Sequence, residues 1–375
     1  MLRITNLALL ALTSLTLTLA GCGDDDATDP VPPETTIKPL PEKLVLAHRG
    51  ASAYRPEHTI AAYTLAIELG ADVIEPDLVS TKDGELVARH ENEISGTTDV
   101  ADHPEFADRE ATKMIDGVEL TGWFTEDFTL AELKTLRAKE RIPEFRPANT
   151  QHDGMFEVPT LQEVITLAQA KTEETGRTIA IYPETKHPTY FRSIDLPLED
   201  KLLETLAANG YEGAGAPVFI QSFEVANLKA MRARTEMRLV QLIGGATDQP
   251  YDFVVGGDMR TYADLITPAG LAEVAGYAEG LGPEKGMIIP RDADMGLTTP
   301  TTLVTDAHAA GLVVHPYTFR PENNFLPADF RNGSDPAALG DLDGELTTFL
   351  ETGIDGFFTD ASDIGRSALD AYLQR

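Results

Sequence analysis

Short apolar runs alternate along the chain with longer stretches in which apolar residues recur at helical spacing. Apolar runs of this length, bounded by turn residues, are typical of buried parallel strands. On this pattern we predict strands at 44–48, 72–77, 179–184, 217–222, 238–243, 286–290, 312–317 and 355–359.

The stretches between these strands have the pattern of amphipathic helices. In the first of them, residues 58–70, the apolar positions keep helical spacing until Gly70, a residue type that commonly ends a helix. The pattern recurs at 160–171, 199–210, 224–235, 269–282, 299–311 and 343–353. Strictly alternating strands and helices imply parallel strands with right-handed crossovers. Eight such units predict an α/β fold, a closed (β/α)₈ TIM barrel rather than an open sheet.

Two regions interrupt the alternation. The dipeptide Asp83-Gly84 is typical of a hairpin turn and precedes a short strand at 85–91. The roughly 60 residues of 92–151 that follow are too long for an ordinary loop, so we predict an insertion after the second strand, beside the active-site mouth, with a helix at 129–140. The segment 319–341, rich in Pro, Asn and Asp, is also expected over the mouth.

The N-terminus has the anatomy of an export signal. Arg3 precedes a short apolar stretch at 6–20, and Leu19-Ala20-Gly21-Cys22 resembles a lipobox. We predict a lipoprotein signal peptide over 1–21, lipidation of Cys22, a disordered tether over 22–41 and the barrel over 42–375. The alternative is an ordinary secretory signal with a chance cysteine. The first interpretation places the protein in the cell envelope, lipid-anchored and facing the periplasm or the exterior, with the anchor as its only membrane contact.

The composition excludes some classes of partner. The formal net charge of −31 opposes binding to nucleic acid or to anionic lipid. Cys22 is the only cysteine, so the chain cannot form an intrachain disulfide.

Three carboxylates follow predicted strands. Glu75 and Asp77 are two residues apart on one strand, so their side chains point to the same face and repel each other unless a cation or a proton intervenes. Glu184 ends the next strand, and Lys186 is two residues beyond it. Carboxylate oxygens are hard ligands, which predicts a site for a divalent cation, Ca²⁺ or Mg²⁺.

His48 and His90 follow two further strands and form the candidate acid/base pair. An imidazole with a pKa near neutrality can accept a proton while a second one donates a proton. Arg49 suits a phosphoryl oxygen, although a structural ion pair is the alternative. His315, at a strand end, is intermediate. The remaining histidines are expected to be cap, surface or loop residues: His58, His103, His152, His187 and His308.

A metal site beside an acid/base pair suits displacement at phosphorus, in which a hydroxyl attacks and an alkoxide leaves. It is also compatible with hydration or aldol chemistry in other barrels. The chain contains no Walker-type loop, no His-x-His and no Gly-x-Ser-x-Gly, which argues against a phosphate-binding glycine loop, an amidohydrolase-type metal site and a nucleophile elbow.

Five blocks of the sequence resemble the glycerophosphodiester phosphodiesterases, in particular the periplasmic bacterial type. The blocks are AHRGASAYRPEHT (47–59), EPDLVSTKDGELVARHE (75–91), PETK (183–186), IQSF (220–223) and HPYTFR (315–320). The resemblance implies a TIM-barrel hydrolase that releases sn-glycerol 3-phosphate and an alcohol. It implies the following roles: His48 and His90 as acid and base, Glu75, Asp77 and Glu184 as metal ligands, Arg49 and Lys186 at the phosphate, and Gln221 and Tyr317 in the glycerol pocket.

Two departures and two alternatives accompany the resemblance. Pro76 stands between the two metal carboxylates, where the family often has Gln or Val, and Ala361-Ser362 replaces the usual end of a Thr-Asp-x-Pro motif. The alternatives are a lysophospholipid or sphingomyelin phosphodiesterase of the same barrel type, and a lipoprotein that binds glycerophosphodiesters without hydrolysing them.

Overall fold

A ring of short parallel strands lies at the centre of the part of the chain that the structure, a computed structural model, describes, residues 37–375. The predicted signal peptide, Cys22 and most of the predicted tether lie outside the described residues. The strands are β1 Leu44–Ala47, β2 Val73–Ile74, β3 Asp77–Ser80, β4 Leu86–Ala88, β5 Ala111–Ile115, β6 Val118–Gly122, β7 Ala180–Ile181, β8 Glu184–Thr185, β9 Phe219–Ser222, β10 Arg238–Ile243, β11 Gly280–Pro283, β12 Val313–Val314 and β13 Gly356–Thr359.

Helices connect the strands of the ring. They are α1 Ile60–Glu68, α2 Leu130–Leu133, α3 Leu161–Thr175, α4 Pro188–Ser193, α5 Leu198–Ala208, α6 Val225–Arg232, α7 Tyr251–Gly256, α8 Tyr262–Leu265, α9 Pro268–Val274, α10 Leu303–Ala309, α11 Leu342–Leu350 and α12 Ser362–Leu373. Within 37–375, no helix combines the length and the apolar composition that crossing a bilayer requires.

The ring is closed. Parallel pairing runs from β13 through β1 and β2 to β7, and from β12 through β11, β10 and β9 to β8 and β3. Backbone hydrogen bonds from Asp355 N to Val314 O and from Phe358 N to Pro316 O, both 3.0 Å, join β12 to β13. Because β2 and β3 are two halves of one barrel strand, as are β7 and β8, the ring contains eight parallel strands. This confirms the predicted (β/α)₈ fold class.

Two prolines divide the second and third strands of the barrel. Pro76 separates β2 from β3, and Pro183 separates β7 from β8. Proline has no N–H to donate, but each carbonyl still accepts a bond from the next strand: Glu184 N donates to Pro76 O at 3.1 Å, and Gln221 N to Pro183 O at 2.9 Å. The breaks therefore leave the ring paired, and the residues beside the prolines keep their register.

The predicted sixth strand, 286–290, was wrong. The strand is Gly280–Pro283, and residues 285–287 form a turn of 3₁₀ helix. The predicted helix 269–282 accordingly ends at Val274. A Cβ on Gly282 would lie 2.6 Å from Cδ2 of Leu242, so the strand needs small residues where it passes β10. Such a sequence lacks the bulky apolar run by which strands are recognised.

The region between β4 and α3 carries little regular structure. Its largest element is the β5–β6 hairpin, and the predicted helix 129–140 shrinks to α2, Leu130–Leu133. The helix cannot continue because Ala138 N donates instead to Phe156 O at 2.8 Å. The short strand β4 pairs antiparallel with β3 around the Asp83-Gly84 turn, as predicted. The bounds 92–151 of the insertion stay a prediction.

Apolar side chains fill the lower part of the barrel interior. The rings of Tyr182 and Phe219 stack with their centroids 4.9 Å apart, and Phe358 meets Tyr182 edge-on at 5.1 Å. Side chains alternate between the two faces of a strand, so the next inward position is two residues further on. At the upper end of the barrel these next inward side chains are polar: His48, Glu75, Glu184, Gln221 and Asp360.

Candidate active site

The carboxyl ends of the strands surround a cavity of about 140 Å³. Barrel enzymes hold their catalytic residues at this end. The cavity is lined by every predicted catalytic, metal-binding and substrate-binding residue except Lys186, which lies immediately beside it. Its lining is His48, Arg49, Glu75, Asp77, His90, Glu184, Gln221, Phe223, Leu242, Tyr317, Thr318, Arg320 and Phe358.

The three carboxylates predicted as metal ligands come together. Glu75, Asp77 and Glu184 each offer an oxygen within 4.8 Å of the others, and all three residues are buried. Strand register produces this arrangement, because Asp77 is paired directly with Glu184 across β3 and β8. Glu75 precedes the Pro76 break and points inward like Asp77.

The three carboxylates, which we call the acidic group, repel one another. Burial and the neighbouring carboxylates raise the pKa of Glu75 well above its usual value. Burial, together with the charge of Asp77, raises the pKa of Glu184 to about 7 in spite of Lys186. For Asp77, burial acts upward, but His58 and Arg49 outweigh it and hold the pKa of this carboxyl well below its usual value.

These residues fit a divalent cation. Oδ1 of Asp77 is buried and has no hydrogen-bond partner, which is costly for a carboxylate oxygen unless a ligand occupies that side. Buried carboxylates that repel one another, one of them with an oxygen that has no hydrogen-bond partner, are the donor set that Ca²⁺ and Mg²⁺ take.

His48 is buried and held by a carboxylate that the sequence did not single out. Its Nδ1 lies 2.6 Å from Oδ1 of Asp360, and its Nε2 lies 3.4 Å from Oγ1 of Thr318. Burial and the positive charge of Arg49 lower the pKa of His48 to about 4, although Asp360 acts in the opposite direction. The imidazole is therefore neutral at pH 7 before an anion binds.

His90 follows β4 and reaches the same cavity from the other side of the acidic group. Its Nδ1 lies 2.7 Å from Oε1 of Glu91, and its Nε2 lies 3.4 Å from Nζ of Lys186. Burial and the positive charges of Arg49 and Lys186 hold the pKa of His90 well below its usual value. Both histidines predicted as the acid/base pair thus line one cavity as neutral imidazoles.

Two residues of the motif Pro-Glu-His-Thr at 56–59 hold the side chains of Arg49 and Asp77 in place. Glu57 accepts hydrogen bonds from the guanidinium of Arg49, the nearer at 3.1 Å. His58 is completely buried, with Nε2 3.0 Å from Oδ2 of Asp77. Thr59 caps α1 by accepting a bond from Ala62 N. His58 thus lies in a loop, one of the places expected for it, but its buried ring also orients a candidate metal ligand, which was not predicted.

A close approach of α1 fixes the His48-Arg49-Gly50 turn. Gly50 has φ +88°, and a Cβ there would lie 2.8 Å from the backbone of Ala62. The turn directs Arg49 N to Oε2 of Glu75 at 3.0 Å, while the guanidinium Nε lies 3.5 Å from Asp77. Arg49 thus forms ion pairs and also lines the cavity, while its contact with a phosphoryl oxygen stays a prediction.

Lys186, Gln221 and Tyr317 lie around the acidic group. Nζ of Lys186 is 3.1 Å from Oε1 of Glu184. Gln221 Nε2 donates to Oε1 of Glu75 at 2.7 Å, while its own Oε1 is buried without a partner. The Tyr317 hydroxyl donates to the carbonyl of Ile243 at 2.9 Å, so its ring, not its hydroxyl, faces the cavity wall.

The sequence analysis missed the charged group around Asp360. Arg146 binds both Asp360 and Glu322, and Nε of Arg320 lies 3.2 Å from Oδ2 of Asp360. Burial alone would raise the pKa of Asp360, but the positive charges of Arg146 and Arg320 hold it well below the usual range. Of these residues, only Asp360 could have been predicted from the sequence. It is two residues beyond the inward-facing Phe358, so its side chain is expected to point into the barrel as well. Arg146 comes from an irregular segment with no comparable pattern.

The other histidines have separate environments. His315 is buried in the barrel, with Nδ1 3.0 Å from the Tyr182 hydroxyl, below the acidic group. His187 precedes α4, and its two ring nitrogens lie 2.6 Å from Asp116 and 2.8 Å from Glu91. These hydrogen bonds outweigh the effect of burial and raise the pKa of His187 to about 9.

Comparisons with known proteins agree on one family. The sequence model of the family described as "Glycerophosphoryl diester phosphodiesterase family" matches residues 48–364 of this chain. A glycerophosphodiester phosphodiesterase of Arabidopsis thaliana, GDPD6, is 41% identical over 327 residues, which are 84% of this chain and 82% of the relative. A glycerophosphodiester phosphodiesterase of Haemophilus influenzae is 30% identical over 86% of this chain and 89% of the relative. Both plant and bacterial relatives match, so the finer expectation of a periplasmic bacterial type stays a prediction.

Solved structures share the fold. A glycerophosphoryl diester phosphodiesterase described as putative, from Silicibacter pomeroyi, matches with a TM-score of 0.60 at 19% identity, covering 90% of this chain and 96% of its own. A phosphodiesterase of Oleispira antarctica, solved in complex with the product sn-glycerol 3-phosphate, matches with a TM-score of 0.56 at 20% identity, covering 88% and 97%.

Proposed function

The chain belongs to the glycerophosphoryl diester phosphodiesterase family, and on this premise we propose that it hydrolyses glycerophosphodiesters to sn-glycerol 3-phosphate and an alcohol, with a bound divalent cation and two histidines as acid and base. The observation that carries the proposal is the convergence of two histidines and three carboxylates in one cavity. They come from four different strand ends, and a protein that only binds its ligand has no need of an acid/base pair.

Glu75, Asp77 and Glu184 would hold the cation, Ca²⁺ or Mg²⁺. Its positive charge would neutralise the phosphoryl oxygens and the negative charge that builds up during displacement. The protein adds fixed positive charge at the same place. Arg49 and Lys186 flank the acidic group on two sides, and either guanidinium or ammonium can donate to a phosphoryl oxygen.

The two imidazoles carry the protons. One removes the proton from the attacking hydroxyl, and the other delivers a proton to the oxygen of the leaving alcohol. For His48 the ionised carboxylate of Asp360 accepts a hydrogen bond from Nδ1–H, which leaves Nε2 facing the cavity. The bound phosphodiester is an anion, so its arrival raises the pKa of both rings from their low resting values.

The glycerol group is assigned to the apolar side of the cavity. Leu242, Phe358 and the ring of Tyr317 form its wall. Gln221 Oε1 is buried with no partner and can accept a hydrogen bond from a glycerol hydroxyl.

We also propose that the protein is a lipoprotein of the cell envelope. The support is the Leu19-Ala20-Gly21-Cys22 sequence after an apolar segment. Metabolic labelling with a radioactive fatty acid tests it. Label in the wild-type protein that disappears in Cys22→Ser supports lipidation, while an unlabelled wild-type protein contradicts it.

The test of the activity is release of sn-glycerol 3-phosphate from a panel of glycerophosphodiesters, measured with a coupled dehydrogenase. Lysophosphatidylcholine and sphingomyelin serve as the competing substrates. Turnover of the panel in the presence of Ca²⁺ or Mg²⁺ supports the proposal. Exclusive turnover of the lysophospholipid, or tight binding of the panel without product, would support one of the two alternatives instead.

A further inference from the structure

A second cavity adjoins the catalytic one. It has a volume of about 340 Å³ and shares Glu184 and Phe223 with the catalytic cavity. We call it the head-group pocket and define it by its charged and aromatic lining: Asp116, Glu184, Lys186, His187, Phe223, Glu224, Tyr251 and Tyr262. The two cavities are therefore adjacent at the acidic group, because Glu184 belongs to the walls of both.

Aromatic rings form much of the head-group pocket. Phe223 and Tyr262 meet edge-on with their centroids 6.2 Å apart. Tyr251, at the start of α7, faces the turn of the β5–β6 hairpin, where a Cβ on Gly117 would lie 3.7 Å from its ring. Aromatic faces attract cations, and they do so most strongly for quaternary ammonium groups enclosed by several rings.

The charges of the pocket wall leave one carboxylate without a counter-charge. Lys186 is paired with Glu184, and His187 is paired with Glu91 and Asp116. Glu224 is only 3% exposed, and its partners are the neutral backbone N–H and hydroxyl of Thr189. Within residues 37–375 it forms no ion pair.

Burial is the main reason that Glu224 resists ionisation. It raises the pKa of Glu224 to about 7, and the carboxylates of Asp252 and Asp116 act in the same direction. A cation that enters beside such a carboxyl group stabilises its ionised form. The pocket therefore combines aromatic walls with a buried carboxyl group that has no positively charged partner.

We propose that the head-group pocket receives the departing alcohol of the substrate and favours alcohols that carry a positive charge, such as the quaternary ammonium of choline or the ammonium of ethanolamine. The inference rests on the proposed phosphodiesterase function and adds the selectivity for the leaving group. Glu224 would supply the negative charge, and Tyr251 and Tyr262 the aromatic faces, because the ammonium of Lys186 already lies 5.8 Å from the centroid of the Phe223 ring.

The experiment compares kcat/KM of the full-length protein for sn-glycero-3-phosphocholine and sn-glycero-3-phosphoglycerol. The two substrates share the phosphodiester and the glycerol, and differ in the charge of the leaving alcohol. We expect the wild-type protein to favour the choline substrate by about fivefold or more, the scale set by a cation beside aromatic rings and a carboxylate. In Glu224→Gln the ratio should fall toward one, since the amide keeps the hydrogen bonds to Thr189 without the charge.

Two further variants complete the design. Glu236→Gln removes a carboxylate of the same length at an exposed position before β10, at the opposite end of the barrel, and should keep the wild-type ratio. If Glu224→Gln does not fold, Tyr251→Leu removes one aromatic face from a half-buried position and should lower the ratio in the same direction.

The outcomes separate the two proposals. A wild-type ratio near one, or a ratio unchanged in both Glu224→Gln and Tyr251→Leu, overturns the selectivity of the pocket while the release of sn-glycerol 3-phosphate stands. Release from neither substrate contradicts the phosphodiesterase function itself, and this inference with it.

Discussion

Oδ1 of Asp360 lies 2.6 Å from Nδ1 of His48, although 312 residues separate the two in the chain. The contact joins the first and the last strand of the barrel. Because β1 and β13 are paired, the histidine that follows β1 lies against the carboxylate that follows β13. Asp360 does not reach the acidic group itself. It is a positioning residue that fixes the orientation and the tautomer of His48.

Replacing this carboxylate should disturb catalysis more than binding. In Asp360→Asn the side chain loses the negative charge that stabilises the protonated ring and keeps Nδ1–H as the hydrogen-bond donor, so we expect kcat to fall about a hundredfold with a much smaller change in KM. Steady-state kinetics on sn-glycero-3-phosphocholine measure both constants.

The matched control for Asp360→Asn is Glu322→Gln. Glu322 also pairs with Arg146 but does not touch His48. It should therefore report the cost of disturbing the arginine alone, with kcat close to that of the wild-type protein. Equal losses of kcat in the two variants would mean that the arginine pairing, not the imidazole, accounts for the effect.

His48→Ala should abolish most of the turnover. A general acid or base contributes about 10²- to 10⁴-fold, and we expect kcat to fall by about 10³-fold with circular dichroism and the melting temperature close to wild type. His103→Ala, on the surface of the region between β4 and α3, is the matched control and should keep full activity. Near-wild-type turnover of His48→Ala would remove this residue from the acid/base pair.

The barrel and most of the site could be predicted because one sequence pattern indicates both. Inward positions alternate with outward ones, so an apolar run that ends in polar residues marks the point where a strand enters the site. His48, Glu75 and Glu184 were found in this way. The prediction failed at the strand Gly280–Pro283, which has no bulky apolar run. This strand contains glycine because it packs closely against Leu242, where a larger side chain would not fit.

Supporting residues were harder to predict, because tertiary contacts alone reveal their role. His58 resembles any histidine before a helix until its contact with Asp77 is seen. Arg146 reaches Asp360 from a segment without periodic pattern. Neither residue type nor spacing indicates such a contact in a single sequence, whereas the strand-end residues share a common geometric rule.

Removing the divalent cation should lower both activity and stability. Glu75, Asp77 and Glu184 repel one another when they are alone, and a cation that binds only the folded protein stabilises it in proportion to the logarithm of its concentration. We expect the melting temperature of the chelated protein to rise on titration with Ca²⁺ or Mg²⁺, in parallel with the recovery of sn-glycerol 3-phosphate release.

The double variant Glu75→Gln, Glu184→Gln is the control for the cation. It keeps the shape of the site but has lost two of the three charges, so its melting temperature should not respond to either ion. A chelated wild-type protein that retains full activity and shows no thermal shift would contradict the assignment of these carboxylates as metal ligands.

His187 should make the stability depend on pH. Its folded pKa of about 9 exceeds the ordinary value of 6.5, so the stability it contributes is fully present below about pH 6.5 and is lost as the pH rises through about 9. The shift corresponds to up to about 3 kcal/mol of unfolding free energy. Urea denaturation between pH 6 and pH 10 should show this decline in the wild-type protein and a much smaller one in His187→Asn. His308→Asn, whose ring is at the surface, should keep the wild-type decline. A wild-type slope retained in His187→Asn would show that the contacts with Glu91 and Asp116 do not hold the charged ring.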